Sequence, residues 1–200
     1  TNLPSKYDFI KKIDINPEIS DSITLSTFHG CPKDEIEKIV KYLINDLEMN
    51  VVVKLNPTLL GETKVSQILH QNLGYTEIKL DSDSFRNDLQ FEDAIKMMNR
   101  LKDFAQSKQK HLGAKFTNTL VVKGDQSNLK DNLQYLSGAP LHVISMNTML
   151  EFRKAMGGNF PISFSAGIDS TNIVDSLTCN MVPVTTCTDL LKKGGYSRLH

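Results

Sequence analysis

The chain has 200 residues, with 23 Lys and Arg against 23 Asp and Glu, so its formal net charge is zero. A zero balance argues against a nucleic-acid or anionic-membrane binder, since both need a basic excess. No apolar run approaches the ~20 residues of a membrane span. The three cysteines form no CxxC pair, which supports neither a disulfide framework nor a metal site. The sequence therefore predicts a reduced, cytoplasmic, single-domain protein.

Short apolar runs alternate with segments of helical period in six successive units. The first β-branched run, residues 23–28, predicts a strand, and the apolar spacing over 33–49 predicts a helix. The later predicted strands are 51–55, 76–80, 114–119, 161–165 and 182–186. The later predicted helices are 63–72, 91–108, 141–156, 171–179 and a short one near 188–193. Residues 120–136 show no clear period and are predicted to form a loop.

Alternating strands and helices predict a parallel sheet with helical crossovers, in chain order. No GxGxxG or Walker loop follows the first strand, which argues against the nucleotide-binding open sheets. Polar residues at the strand ends favour an aldolase-like (β/α)8 barrel of TIM type, whose active sites lie there. Six units are fewer than the eight of a closed barrel. We therefore expect an incomplete barrel over residues 23–200, after a lead-in segment of residues 1–22.

Three successive predicted strands contain a lysine, namely Lys54, Lys79 and Lys115. Barrel strands are covered on both faces, so a buried ammonium must be paired or must shift its pKa. The lysines either form an inward cationic patch for an anionic cofactor or substrate, or extend between the outer helices. Lys54 is the strongest candidate because it shares side-chain parity with Asn56. Lys115 and Asn118 have opposite parity, so a regular strand cannot turn both inward.

The turn His29-Gly30-Cys31-Pro32 closes the first predicted strand. A cysteine before a helix N-terminus can have a lowered pKa, and His29 is close enough to assist Cys31 as a base. The alternative is a buried, inert Cys31 beside a turn.

Small residues follow the last two predicted strands, in the runs SAGID (165–169) and TTCT (185–188). Such residues let backbone N–H groups approach an anion, and barrel phosphate sites are often built from the loops after the last strands. These two loops are therefore predicted to bind an anion.

Several stretches resemble the YgfK family, whose members are large subunits named as selenate reductases. The matching runs are SDSITLSTFHGCPK (20–33), VKLNPTLLG (53–61), DLQFEDA (88–94), TNT (117–119), Ser137-Gly138, PISFSAGID (161–169) and LLKKGGYSRL (190–199). The resemblance extends from about residue 20 to the C-terminus.

This resemblance implies that the chain is most of the dihydroorotate-dehydrogenase-like barrel of a larger multidomain oxidoreductase. The implied function is reduction of a small substrate, such as an N-heterocycle, with electrons from NAD(P)H. FMN is the cofactor expected in the barrel, whereas FAD, NAD(P) and 4Fe-4S clusters are expected elsewhere in the full-length protein. Other domains or subunits of a redox complex are the implied partners. An open barrel is also expected to self-associate.

The barrel is more distantly similar to dihydroorotate and dihydropyrimidine dehydrogenases, and this similarity implies roles for particular residues. Lys54 in KLNP would contact the flavin ring beside Asn56, Asn118 would contact the ring or the substrate, and Cys31 would be the proton donor. The other implied cofactor contacts are Ser137, Gly138, Ala166, Gly167, Ile168, Thr185 and Thr186.

Two other functions stay open. Lysines in barrels also serve as Schiff-base nucleophiles, so a lyase using Lys79 or Lys115 is an alternative. A non-catalytic barrel that acts as a scaffold for redox modules is another. The scaffold gains support from Ala166, which replaces a phosphate-loop glycine, and from Pro183, which removes an amide donor from the last strand.

Overall fold

The computed structural model describes residues 4–124 and 133–199. Its strands are Ser22–Ser26 (β1), Asn50–Leu55 (β2), Lys79–Leu80 (β3), Leu112–Phe116 (β4), Leu120–Lys123 (β5), Leu133–Leu136 (β6) and Ile162–Phe164 (β7). Its α-helices are Lys33–Asn45 (α1), Glu62–Ser66 (α2), Ser82–Asn87 (α3), Phe91–Ser107 (α4), Ala139–Met156 (α5) and Ile173–Thr178 (α6). A π-helical turn at Gln67–Asn72 continues α2, and 3₁₀ turns occupy Ser5–Lys12, Pro57–Leu60, Thr188–Leu191 and Gly195–Leu199.

The main sheet is parallel, and its strand order β1-β2-β4-β7 is the order of the chain. A bridge from Phe164 to Val184 adds the start of one more parallel strand beside β7. This confirms the α/β barrel-type architecture predicted from the alternation of strands and helices. The described sheet does not close into a barrel, as expected for an incomplete one.

Alternate residues of β2 divide the sheet into two faces. Val51, Val53 and Leu55 are buried, whereas Val52 and Lys54 on the opposite face are only half-buried. The buried face packs against α1, α4 and α5, and each large apolar side chain buried there contributes about 1.5–3 kcal/mol. The core therefore lies between the sheet and the helices, and the other face is left for polar groups.

Two of the predicted elements were wrong. Residues 76–80 do not form a parallel strand, because only Lys79 and Leu80 pair, and they pair antiparallel to β5. Residues 120–136 are not simply a loop, since β5 and β6 form an antiparallel pair in a separate sheet of order β3-β5-β6. The physical reason is that the run LVV (120–122) is buried, which the polar composition around it concealed.

The predicted strand over residues 182–186 shrinks to the single bridge at Val184. The main sheet thus has four strands and a bridge where six parallel strands were expected. Pro183 has no N–H to donate, which limits regular pairing on this side.

Residues 4–21 precede β1 on the surface, and the 3₁₀ turn Ser5–Lys12 contributes no buried residue. The domain boundary between residues 22 and 23 stays a prediction. Within the described ranges, no helix has both the length and the apolar character needed to cross a bilayer.

Candidate functional site

A row of polar side chains crosses the inner face of the sheet near the carboxyl ends of its strands. The backbone register pairs Ser26 with Lys54, Lys54 with Lys115 and Lys115 with Ser163. Residues paired in register project to the same face of a sheet. We call Ser26, Lys54, Lys115 and Ser163 the lysine row. Bulky aliphatic residues normally fill this part of a barrel, so the polar row is a candidate site.

Both lysines of the row are half-buried, and the pKa of each amine is lowered. Burial is the main cause for both, and the positive charge of Lys54 lowers the pKa of Lys115 further. The nearby thiol of Cys187 opposes the shift at Lys54. Within the described part of the chain, no carboxylate forms an ion pair with either amine, so two adjacent cations face the inner space.

Asn118 lies at the edge of this row and joins three strand ends. Its Nδ2 donates to the Thr27 carbonyl at 2.8 Å and to Asn56 Oδ1 at 2.8 Å, and its Oδ1 accepts from Ser26 Oγ at 3.0 Å. Asn118 and Lys115 therefore both border the inner face. The parity argument against this does not apply, because β4 ends at Phe116 and the chain leaves the regular strand there.

Asp88, which sequence reasoning did not single out as a functional residue, is the centre of a second group of contacts. Its Oδ2 accepts from Asn56 Nδ2 at 3.1 Å and from Thr58 Oγ1 at 2.6 Å, and its Oδ1 accepts from the Gly30 N–H at 2.6 Å. Burial alone would raise the pKa of this carboxyl, but hydrogen bonds from His29, Thr58 and Gly30 outweigh it and lower the pKa. An acidic residue just before a helix is usually interpreted as a solvent-exposed helix cap. For this reason the sequence did not indicate a functional role for Asp88.

His29 completes this group through both ring nitrogens. Nδ1 lies 2.6 Å from Asp88 Oδ2, and Nε2 lies 3.0 Å from the Thr119 carbonyl oxygen. Burial opposes protonation of His29, but the hydrogen bond and charge of Asp88 outweigh it, so the pKa of the imidazole is raised. Because carbonyl and carboxylate oxygens only accept, both nitrogens can donate at once only when the ring is protonated. We call His29, Asp88, Asn56 and Asn118 the rim network.

The first predicted anion loop, residues 165–169, packs against the turn that begins α5. Gly167 has a φ of +58°, and a Cβ at this position would overlap the carbonyl oxygen of Gly138. Within the described ranges, the backbone N–H groups of residues 166–168 have no acceptor, whereas the Ile168 carbonyl accepts from Thr186 Oγ1 at 2.7 Å. Ala166 is buried with its methyl group in the core, so that methyl does not crowd these amides.

The remaining predicted site residues differ in their exposure. Cys31 is buried, and burial followed by the charge of Glu35 raises the pKa of its thiol, so the lowered pKa considered for it was wrong. Its role as proton donor stays a prediction. Ser137 and Thr185 are exposed, and Lys79 is exposed in the small sheet, away from the other two lysines.

A surface cavity lies at the opposite end of the sheet. It has a volume of about 580 Å³ and is lined by residues 156–161 and by His111 and Leu112 at the amino end of β4. It contains none of the predicted site residues. The described residues also hold no group of three His, Cys, Asp or Glu side chains that would bind a metal ion.

A parallel, helix-covered sheet with lysines and amides at its carboxyl edge defines a barrel-type domain. The chain belongs to the family described as "Oxidoreductase YgfK, N-terminal TIM-barrel domain", whose family model matches residues 3–200.

Two curated relatives from Escherichia coli, strains K12 and O157:H7, both bear the name "Putative oxidoreductase YgfK". Each is 41% identical to this chain over 177 residues, which cover 88% of this chain. The chain spans only 17% of the length of either relative.

Two solved structures of DHODH from Eimeria tenella are also similar. The ligand-free form has a TM-score of 0.44 at 18% identity and covers 84% of this chain and 54% of its own. The form in complex with ferulenol has a TM-score of 0.42 at 16% identity and covers 83% of this chain and 51% of its own.

Proposed function

We propose that this chain is the FMN-binding barrel domain of a multidomain oxidoreductase that reduces a small substrate. The observation that carries the proposal is the pair of adjacent, half-buried lysines with no acidic partner among the described residues. Two such cations are unfavourable unless an anionic or electron-rich ligand compensates them. An isoalloxazine ring that takes up electrons is such a ligand.

The residues present fit this cofactor at both of its ends. Lys54 and Lys115 would lie against the ring, where a nearby positive charge favours the electron-rich form. Asn118 would offer only its Oδ1, because its Nδ2 hydrogens are taken by the protein. The amides of residues 166–168, which have no acceptor among the described residues, would hold the phosphate, as backbone N–H groups commonly do. Bound FMN would supply hydride transfer, and the protein would hold and orient it.

The rest of the proposed pathway lies outside this chain. NAD(P)H, FAD and 4Fe-4S clusters in other domains or subunits would deliver electrons to the barrel. The name of the Escherichia coli relatives supports an oxidoreductase, and the selenate assignment has no support among the residues described. Location in the cytoplasm stays a prediction.

The flavin content of the full-length protein tests the proposal. We expect about one FMN per chain in addition to FAD, identified by chromatography of the released flavins. The 200-residue chain alone is expected to lose its FMN, since four strands and a bridge leave most of a ring uncovered.

Substitution of the row lysines in the full-length protein then localises the cofactor. Lys54→Met and Lys115→Met should each reduce the FMN content at least tenfold while leaving FAD unchanged. Lys79→Met removes an exposed lysine of the small sheet and should leave both flavins unchanged. A full-length protein that releases FAD but no FMN contradicts the proposal.

A second candidate, a Schiff-base lyase, is favoured by one observation. The pKa of Lys115 is lowered by burial and by the neighbouring cation Lys54, which is how lysine nucleophiles are activated. Borohydride reduction with small aldehydes and ketones would then leave a covalent adduct on the wild-type chain, detected by peptide mass spectrometry. An adduct confined to Lys115 would favour the lyase, whereas no adduct together with bound FMN favours the flavoprotein. If neither an adduct nor bound FMN is found, the non-catalytic scaffold is the function that remains.

A further inference from the structure

The His29–Asp88 pair is a buried charge pair that the proposed chemistry does not use. The two residues are far apart in the chain and come from the β1–α1 and α3–α4 connections. The Asp88 side chain is 1% exposed and the His29 side chain 19% exposed. Such a pair is costly to bury unless all its bonding groups are satisfied, and here they are. Through this pair, the β1–α1 and α3–α4 connections contact the residues that follow β2 and β4.

The contacts of Asp88 fix the direction of the next side chain. Because Asp88 Oδ2 accepts from Asn56 Nδ2, the Asn56 Oδ1 must point away from the carboxylate, towards Asn118. That oxygen accepts from Asn118 Nδ2 at 2.8 Å. The Thr27 carbonyl accepts from the same nitrogen. Asn118 Oδ1 is therefore left at the edge of the lysine row, beside Ser26.

We propose that Asp88 and His29 are positioning residues that orient the Asn56 and Asn118 amides, so that Asn118 presents an acceptor oxygen to whatever occupies the lysine row. The proposal rests on the proposed function for its consequence at the ligand, but not for the orientation itself. Among the described residues, neither side chain hydrogen-bonds to a member of the lysine row, and Asp88 is joined to Asn118 through Asn56.

The proton on His29 controls this arrangement. A neutral imidazole has a single N–H, so it keeps either the Asp88 bond or the Thr119 bond and loses the other. The charged groups that face His29 are Asp88 and, at longer range, Asp81 at the start of α3. Both favour the cation. The contacts that follow β2 and β4 are uncharged: Asn56 and Thr58 donate to Asp88, and the Thr119 carbonyl lies beside the imidazole.

Nuclear magnetic resonance of the wild-type chain tests the orientation without any ligand. Below pH 6.5 both ring nitrogens of His29 should carry a proton. On raising the pH, the side-chain amide signals of Asn118 should move with the same midpoint as the His29 ring. Asn118 signals that show no inflection at the His29 midpoint would overturn the proposal, as would a His29 that is neutral below pH 6.5.

Two variants separate positioning from stability alone. His29→Gln should abolish the pH inflection and shift the Asn118 amide signals. Thr58→Val removes one hydrogen bond to the same carboxylate but leaves His29, Asp88 and Asn56 joined. It should therefore keep the pH inflection and leave the Asn118 amide signals where they are in the wild type. Equal effects of the two variants on Asn118 would contradict a positioning role. If His29→Gln fails to fold, the wild-type titration still decides.

A second experiment measures the binding of FMN to the full-length protein. His29→Gln should weaken FMN binding at least tenfold more than Thr58→Val does, measured by fluorescence quenching. FMN binding equal in the two variants would contradict the positioning role. Wild-type protein that binds no FMN would overturn the proposed function only, and the titration of Asn118 would still decide whether Asp88 and His29 position it.

Discussion

Gly167 places the loop after β7 directly against the turn that starts α5. A side chain there would need both a positive φ and space that the Gly138 carbonyl occupies. We expect Gly167→Ala to lower the free energy of unfolding by about 3 kcal/mol, combining backbone strain with overpacking. Gly74→Ala is the matched control, because Gly74 also has a positive φ but no atom within 4 Å of its would-be Cβ.

Urea denaturation of the two variants measures this difference. Gly74→Ala should cost about 1 kcal/mol, the strain of the left-handed backbone alone. If both glycine variants lose the same stability, the close approach of the two loops is contradicted.

The charge pair of the rim network makes a second prediction, on pH. The pKa of His29 is raised above its ordinary value of 6.5, so its contribution to stability is complete below pH 6.5 and is lost as the pH rises through the folded-state pKa. The pKa of Asp88 is lowered, so its contribution is complete above pH 3.8 and is lost as the pH falls through the folded-state pKa. Stability from this pair therefore peaks between these two limits.

Thermal unfolding of wild type and His29→Gln from pH 5 to pH 9 checks this. The difference in unfolding temperature between the two proteins should be largest at the acidic end and shrink above pH 6.5. A difference that does not change with pH would show that His29 does not titrate with folding.

At the scale of the element, the apolar residues that recur at helical spacing in α4 form its buried face. Its predicted inward face, Ala94, Met98, Leu101 and Ala105, is fully buried between the sheet and the neighbouring helices. Leu101→Ala should lower the free energy of unfolding by about 2–5 kcal/mol, the cost of a core cavity. Leu150→Ala, on the exposed side of α5, should change it by less than about 0.5 kcal/mol.

Urea denaturation with an unchanged m-value distinguishes a loss of packing from a change in the unfolded state. A Leu101 variant as stable as the Leu150 variant would place α4 outside the core and contradict the described packing.

At the scale of the whole molecule, β1 is the edge of the main sheet, and no described strand pairs with its outer side. Such an edge is a template for pairing with another chain, and Ile23 within β1 is 40% exposed. We expect the 200-residue chain to self-associate reversibly, with a mass that rises with concentration in sedimentation experiments. Ile23→Lys should weaken this association about tenfold, because an edge lysine disfavours strand addition.

Val174→Lys is the control for that experiment, since Val174 is exposed on α6, away from the edge. It should leave the association unchanged. Equal loss in both variants would mean that general apolar exposure, not the β1 edge, drives association.

The sequence by itself determined the architecture, because the alternation of strand and helix patterns predicted a parallel, barrel-type sheet in chain order. Lysines inside strands left two alternatives open for Lys54, Lys79 and Lys115, an inward cationic patch or side chains that extend between the outer helices. Both patterns are local signals, because they depend only on residues a few positions apart.

Only the tertiary structure decided which strands pair and which polar groups meet. Lys79 lies outside the main sheet because its segment pairs antiparallel to β5. Pairing between distant segments cannot be predicted from local sequence patterns. Asp88 became central because folding buried it beside His29, 59 residues away. A buried carboxylate is stable only when nearby groups donate hydrogen bonds to it. The spacing of residues along the chain does not predict which groups those are.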